Sequence, residues 1–245
     1  IRFCDIMDPT SALIAIGLSL VLSLLIYAFR LLTVSGCVAS FLIGSVIGVF
    51  GSLSWLVLLI VFAILGFAAT KSGFTKKKEM GVQEGTHGER NYKNILGVAI
   101  PPFIIALLNF IFPGNESMMA LGYIATIAVA AADTSASELG VKDPKGWLIT
   151  NFKRVAPGTD GGVSVSGTVI SLVVSLAVSV VGFLVIFQSL NVSLLVPTVC
   201  GFIGCVADSV LGATVESKGL ISKYTNNAIT GIIGGLLTIL ILSVV

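Results

Sequence analysis

Apolar residues run along this chain in unbroken stretches of about 20, the length an α-helix needs to cross a bilayer. Stretches at 11–32, 34–51, 53–70, 95–112, 117–133, 163–187, 194–214 and 226–245 predict eight membrane-spanning helices. They do not alternate apolar with polar residues, which excludes a membrane β-barrel. Pro101-Pro102 predicts a kink or a split in the fourth span, because proline donates no hydrogen bond. Pro197, Gly201 and Gly204 predict a less regular seventh span than the first. Small residues such as Gly44, Gly48 and Gly51, or Gly231, Gly234 and Gly235, suit close helix packing in lipid.

Composition agrees with that pattern. Of 245 residues, 56% are hydrophobic and 11% charged, and mean hydropathy is +1.06. Too few polar residues remain to cover a soluble particle, and disorder, coiled coil, collagen and a disulfide-rich secreted scaffold are excluded as well. The expected class is therefore all-α: a polytopic helical membrane protein forming a single integral membrane domain over 1–245. The first residues carry Asp5 and Asp8 without a basic stretch, so they do not read as a signal peptide.

Charge then divides the loops into two sets. Those around 51–52, 113–117 and 188–192 hold no Lys or Arg, whereas the other set carries every basic residue except Arg2. The positive-inside rule makes the basic face cytoplasmic and sets both termini outside. A net charge of +2 gives no case for a nucleic-acid partner. Cys4, Cys37, Cys200 and Cys205 form no CxxC, and His87 is the one histidine, so a zinc site is disfavoured. The cysteines read as small buried hydrophobes and His87 as a solvated loop residue.

Four polar patches lie on the basic face, in the loops 71–94, 134–162 and 215–225 and the adjoining helix ends. The first runs from Thr70-Lys71-Ser72-Gly73 through Lys76-Lys77-Lys78 to His87-Gly88-Glu89-Arg90-Asn91-Tyr92-Lys93-Asn94. Glycines interleaved with Lys, Arg and Asn suit an anion-binding loop, although no Walker A pattern is present. A solvated loop facing anionic headgroups fits equally well. The second, AAADTSASELG over 130–140, ends a span with Asp133 and Glu138, and an acid at such depth is costly enough to imply function. Carboxylates beside hydroxyls (Thr134, Ser135, Ser137) suit Mg²⁺ in phosphoryl transfer. On an ideal helix the two acids lie about 140° apart, so one ion joins both only if the helix breaks.

The third patch, PGTDGGVSVSG over 157–167, places Gly158, Thr159, Gly161, Gly162 and Ser164 just before a span. Free amides and the positive helix end there offer a second phosphate cradle; a flexible turn leading to a packing face is the plainer alternative. The fourth, GFIGCVADSVLGATVE over 201–216, holds Asp208 about two turns inside the boundary, with Ser209 beside it. Ala-Asp-Ser here echoes Ala-Asp-Thr at 132–134. Asn226-Asn227 follow at the start of the last span, able to cap it or to bond a ligand.

The motifs ATKSGFTKKKEMG (69–81), HGERNYKNILGV (87–98), ADTSASELG (132–140), APGTDGGVSVSGT (156–168), GCVADSVLGAT (204–214) and ESKG…TNN (216–227) carry a resemblance. In this order they are similar to the integral membrane family of transmembrane protein 19 and the plant phytyl-phosphate kinase, over most of 66–230. The resemblance implies a CTP-dependent kinase that converts an isoprenoid monophosphate of phytyl or geranylgeranyl type to the diphosphate. For that reaction the residue chemistry makes Asp133, Glu138 and Asp208 the expected Mg²⁺ ligands, directly or through water, and Lys71, Lys77 and Arg90 the cations neutralising the phosphate chain. Gly158, Thr159, Gly161, Gly162 and Ser164 would donate to phosphate, with Thr134, Ser135 and Ser209 alongside. Asn91, Asn94 and Asn227 would orient the base, ribose or acceptor.

The chemistry is compatible with that implication. An acceptor phosphate is already anionic near neutral pH, so a chain with one histidine needs no strong base, and catalysis reduces to positioning and charge neutralisation. Implied partners are the bilayer, an isoprenoid phosphate and a nucleotide, and a homo-oligomer stays open. A secondary transporter shares the intramembrane acids and broken spans. A cytidylyltransferase would use the same apparatus and differ only in product.

Overall fold

The structure is a computed structural model and describes residues 9–244; Cys4, Asp5 and Asp8 lie outside the described residues. The chain forms α1 (Pro9–Ala28), α2 (Val34–Phe50), α3 (Leu53–Lys71), the short α4 (Phe74–Glu79), α5 (Tyr92–Ile111) and α6 (Glu116–Gly140). Three short strands follow, β1 (Gly146–Leu148), β2 (Arg154–Val155) and β3 (Gly162–Val163), then α7 (Val165–Gly182), α8 (Leu195–Thr214) and α9 (Lys223–Val244). Among the described residues, seven helices are long and apolar enough to cross a membrane. The 17-residue α2 is shorter, yet it runs beside α5 from end to end. Its start packs on Arg90 and Asn91, and the Phe50 carbonyl at its far end accepts from Asn109 Nδ2 at 3.1 Å.

Polar residues between the apolar runs cap helices. Thr33 accepts from the Gly36 amide, Ser52 from Trp55, Asn91 from Lys93 and Asn94, and Ser164 from Gly167, each satisfying an amide that the helix leaves without a partner. The predicted split at Pro101-Pro102 is absent: α5 continues through both prolines, and Pro101 fills the space beside Gly231.

The bundle is organised around α6, which is buried on nearly every side. Glycines let its neighbours approach. A Cβ on Gly201 would meet Ala128, on Gly204 or Gly234 Val129, on Gly235 Thr126, and on Gly182 Ile124. Tyr123, wholly enclosed, stacks on Trp55 with ring centroids 4.3 Å apart and donates its hydroxyl to the Trp55 carbonyl at 2.6 Å. Cys37, Cys200 and Cys205 are buried free thiols, as read from the sequence.

The basic connections gather at one end of the bundle. Leu32 bridges to Arg90, Lys142 Nζ donates to Ser72 Oγ at 2.7 Å, and Lys223 pairs with Glu84. The segment between α6 and α7 folds into a three-stranded antiparallel sheet of order β2-β1-β3, with Trp147 opposite both Arg154 and Val163. That strap lies across the end of α8.

Candidate functional site

Two carboxylates face each other because two helices run in parallel. Both α6 and α8 end at the loop end, and Gly204 of α8 lies against Val129 of α6. Asp208 and Asp133 each come four residues later, one turn further along the same faces. Their carboxyl groups therefore meet, side chain to side chain, on the wall of a cavity of about 590 Å³. The repeated Ala-Asp-Ser/Thr is the sequence trace of this parallel pair. Thr230 donates to Asp208 Oδ1 at 3.2 Å. Asn226, with no exposed surface, donates through Nδ2 to the Asp208 carbonyl and to Glu216 Oε2, both at 3.0 Å.

The opposite wall is the turn 157–162. Gly158 and Gly161 hold φ of 83° and 71°, a region L-residues rarely occupy. A Cβ at Gly161 would collide with Ala213, while Gly212 brings only backbone to meet it. The turn is thereby pressed onto α8. The third wall is the segment 81–84, whose Val82 packs on Gly158. Glu84 there is held by Asn94 Nδ2 at 2.9 Å and by Lys223 Nζ at 3.5 Å. The Lys223 side chain is 54% exposed and lines the cavity.

Of the residues singled out from sequence, Asp133, Glu138, Asp208, Gly158, Thr159, Gly161, Gly162, Ser164 and Ser209 all border this cavity. Several are partly occupied. The Thr159 hydroxyl and amide both donate to the Ala156 carbonyl, and the Gly162 amide to the Thr159 carbonyl. Ser164 caps α7 and donates to the Gly140 carbonyl at 3.3 Å.

The three acids do not converge as one set. Because α6 stays helical to Gly140, Glu138 turns away from Asp133, and its carboxylate is taken by Lys77 (2.5 Å), Thr70 (2.9 Å) and, at 3.7 Å, Arg90. Among the described residues no group of three His, Cys, Asp or Glu is drawn together as a metal cage. Two facing carboxylates still fit Mg²⁺, which takes one or two protein carboxylates and completes its shell with phosphate and water oxygens.

The remaining candidates stand elsewhere. Lys77 is 1% exposed and spends its three donors on Glu138 and the Ala69 and Thr70 carbonyls, leaving none for a phosphate. Arg90 donates to Thr70 Oγ1 at 3.0 Å, with its Nε buried and without a hydrogen-bond partner among the described residues. Lys71 reaches the His87 carbonyl at 2.5 Å and lies over the Phe74 ring. Asn91 and Asn94 form a capping box on α5. Thr134 and Ser135 are buried within the bundle, and Asn227 shares only a small void with Asp133. His87 is exposed, with 81% of its side chain in solvent.

Sequence reasoning assigned no site role to Lys223, Glu216 or Thr230, and read Asn226 as a cap or a ligand group. A signal for Lys223 existed: a lysine in the first turn of a helix opposes the macrodipole, a cost that calls for a local reason.

The comparisons agree with this architecture. An uncharacterized membrane protein of Methanocaldococcus jannaschii is 35% identical over 222 residues, 90% of each chain. Protein PGR of Arabidopsis thaliana is 32% identical, over 80% of this chain and 76% of its own. Protein VTE6, chloroplastic, from the same plant is 30% identical over 82% of this chain, which spans 61% of VTE6. No solved structure matches the chain significantly. A model of the integral membrane protein family DUF92 matches residues 17–236, and the chain belongs to that family.

Proposed function

We propose that this protein is a nucleotide-dependent kinase of an isoprenoid monophosphate, with CTP as donor, working at the cytoplasmic face. The observation that carries the reading is the Asp133–Asp208 pair, facing a glycine turn and Lys223 across one cavity at the polar end of a membrane bundle. The volume of about 590 Å³ suits a nucleotide-sized ligand. The resemblance of the ADTSASELG and PGT-GG motifs to the phytyl-phosphate kinase family, and the likeness to VTE6, support the substrate class.

Asp133 and Asp208 would hold Mg²⁺, which when bound supplies charge neutralisation across the donor phosphates. Lys223, released from Glu84, adds a positive charge on the same side. The turn at 158–162, with no Cβ at three of its positions, leaves room for phosphate to approach backbone. The acceptor's phosphate oxygen attacks the terminal phosphorus of the donor, the bond to the bridging oxygen breaks, and the nucleoside diphosphate leaves with the electron pair. The acceptor arrives ionised, so no side chain has to remove a proton.

A transporter would place polar groups near the midplane and open to both sides, whereas this cavity lies at one end. The test is nucleotide-dependent stabilisation followed by product analysis. CTP or CDP with Mg²⁺ should raise the melting temperature more than ATP does, and incubation with CTP and a prenyl phosphate should yield CDP and a prenyl diphosphate. Pyrophosphate release would establish a cytidylyltransferase instead. Absence of both nucleotide binding and transfer would refute an enzyme of either kind.

A further inference from the structure

The cavity lining reaches the outward faces of α7 and α8. From Ser171 and Cys205 towards the opposite end, α7 and α8 are in close contact. The Ser171 hydroxyl meets the Cys205 thiol, Ser175 Oγ donates to the Thr198 carbonyl at 2.7 Å, and a Cβ on Gly201 would collide with Ser175. At the loop end the strap closes the gap through Gly161 on Gly212. Between these two closures the cavity wall is formed by Thr168 of α7 and Val206 of α8. Thr168 is exposed, and Val206 is 36% exposed beside the outward-facing Leu172, Ile203 and Val210. The Thr168 hydroxyl donates to the Ser164 carbonyl at 2.9 Å, so its polar group is satisfied within its own helix.

From Cys205 to Gly212 the opening is about 10 Å tall, at 1.5 Å per helical residue. Its sill lies six residues, about 9 Å, into α7, within a helix long and apolar enough to cross a membrane.

We propose that this gap between α7 and α8 is a lateral portal through which the hydrocarbon tail of a phosphate-headed lipid lies in the bilayer while its head reaches Asp133, Asp208 and Lys223. The inference rests on the kinase reading for the head, and on the gap's position within the membrane for the tail. A water-soluble acceptor would need no opening at this depth. A chain-bearing one needs it, because drawing the tail through the polar loop end would expose every methylene to water.

The test uses the full chain in lipid vesicles. Thr168→Trp and Val206→Trp narrow the gap and leave Asp133, Asp208, Lys223 and the turn at 158–162 unaltered. With Mg²⁺ and CTP, each should lower kcat/KM for geranylgeranyl phosphate about tenfold, the equivalent of two methylenes kept from burial. Activity on water-soluble isopentenyl phosphate should stay within about twofold. Equal loss on both acceptors, or no loss on either, overturns the portal. A second measurement is independent of turnover. A diazirine-bearing hexadecyl phosphate should label peptides containing Thr168 and Val206 above the level given by the matching hexadecanol, and the two tryptophan variants should remove the excess. Labelling that is the same for both probes overturns the proposal. Portal-specific labelling without transfer to either acceptor would instead retain the portal and discard the kinase.

Discussion

Lys77 gives the sharpest separation between a ligand-binding lysine and a structural one. It is 1% exposed, and its ammonium group lies 2.5 Å from Glu138 Oε2, 2.7 Å from the Thr70 carbonyl and 3.2 Å from the Ala69 carbonyl. Lys77→Met removes all three bonds and leaves Glu138 buried, with Thr70 and a more distant Arg90 at 3.7 Å. Breaking a buried pair from one side costs about 3–5 kcal/mol, and the nearby Arg90 charge puts the expected loss in the lower half of that range. Lys77→Met/Glu138→Met removes the stranded charge as well. What then remains lost is the hydrogen bonding to two helix-end carbonyls and the Thr70 bond to Glu138, about 1–3 kcal/mol, while Arg90 loses its carboxylate and keeps its bond to Thr70. The double variant should therefore be more stable than the single one by about 1–2 kcal/mol. Thermal unfolding in one detergent reads this difference, at about 2–4 °C per kcal/mol for a chain of this size. A Lys77→Met protein within about 1 kcal/mol of the parent, or a double variant no better than the single, would refute the buried-pair account.

Other outcomes follow from the site. Asp133→Asn and Asp208→Asn should each abolish transfer and the Mg²⁺-dependent part of nucleotide stabilisation while the protein stays folded; near-normal turnover in either purified variant would sink the paired-carboxylate assignment. Gly161→Ala forces a Cβ into Ala213 at a φ of 71°, at a cost of about 1–3 kcal/mol. It should loosen the strap, visible as faster hydrogen exchange over 146–163, while the helices keep their protection. The Asp143 carboxylate, which accepts from the Lys145 amide and from Ser166 Oγ, has its pKa held below the ordinary 3.8 by these bonds. Its contribution is complete above pH 3.8 and disappears as pH falls through the lower folded value; a carboxyl carbon titration with its midpoint at or above 3.8 would contradict the bonding.

Much of the framework was legible because continuous apolar runs leave few alternatives in lipid. Where the reading fell short, the reason is specific. The fifth span was expected to end at 133, since polar residues usually mark a membrane boundary, yet α6 runs to Gly140 with Thr134, Ser135 and Glu138 buried against neighbouring helices. The 140° separation of Asp133 and Glu138 already spoke against a shared ion, and the unbroken helix sends them to different partners. Asn91 and Asn94 looked like ligand groups because a cap and a ligand use the same amide chemistry; only the backbone distances decide between them. The strap was illegible, because strands of two and three residues carry no period. Lys223 became visible only once α9 was set against α8, as did the partners of Asn226, the Asp208 carbonyl and Glu216.

The central position of α6 also bears on how the protein enters the membrane. It is the least apolar of the seven spanning helices, rich in alanine and hydroxyl side chains, and in isolation it would gain little from leaving water. The stretches that follow it are greasier, and they supply the glycine faces that shelter it. Biogenesis should then proceed out of order: α6 waits beside the insertion machinery and settles into lipid once its later-made companions arrive to enclose it.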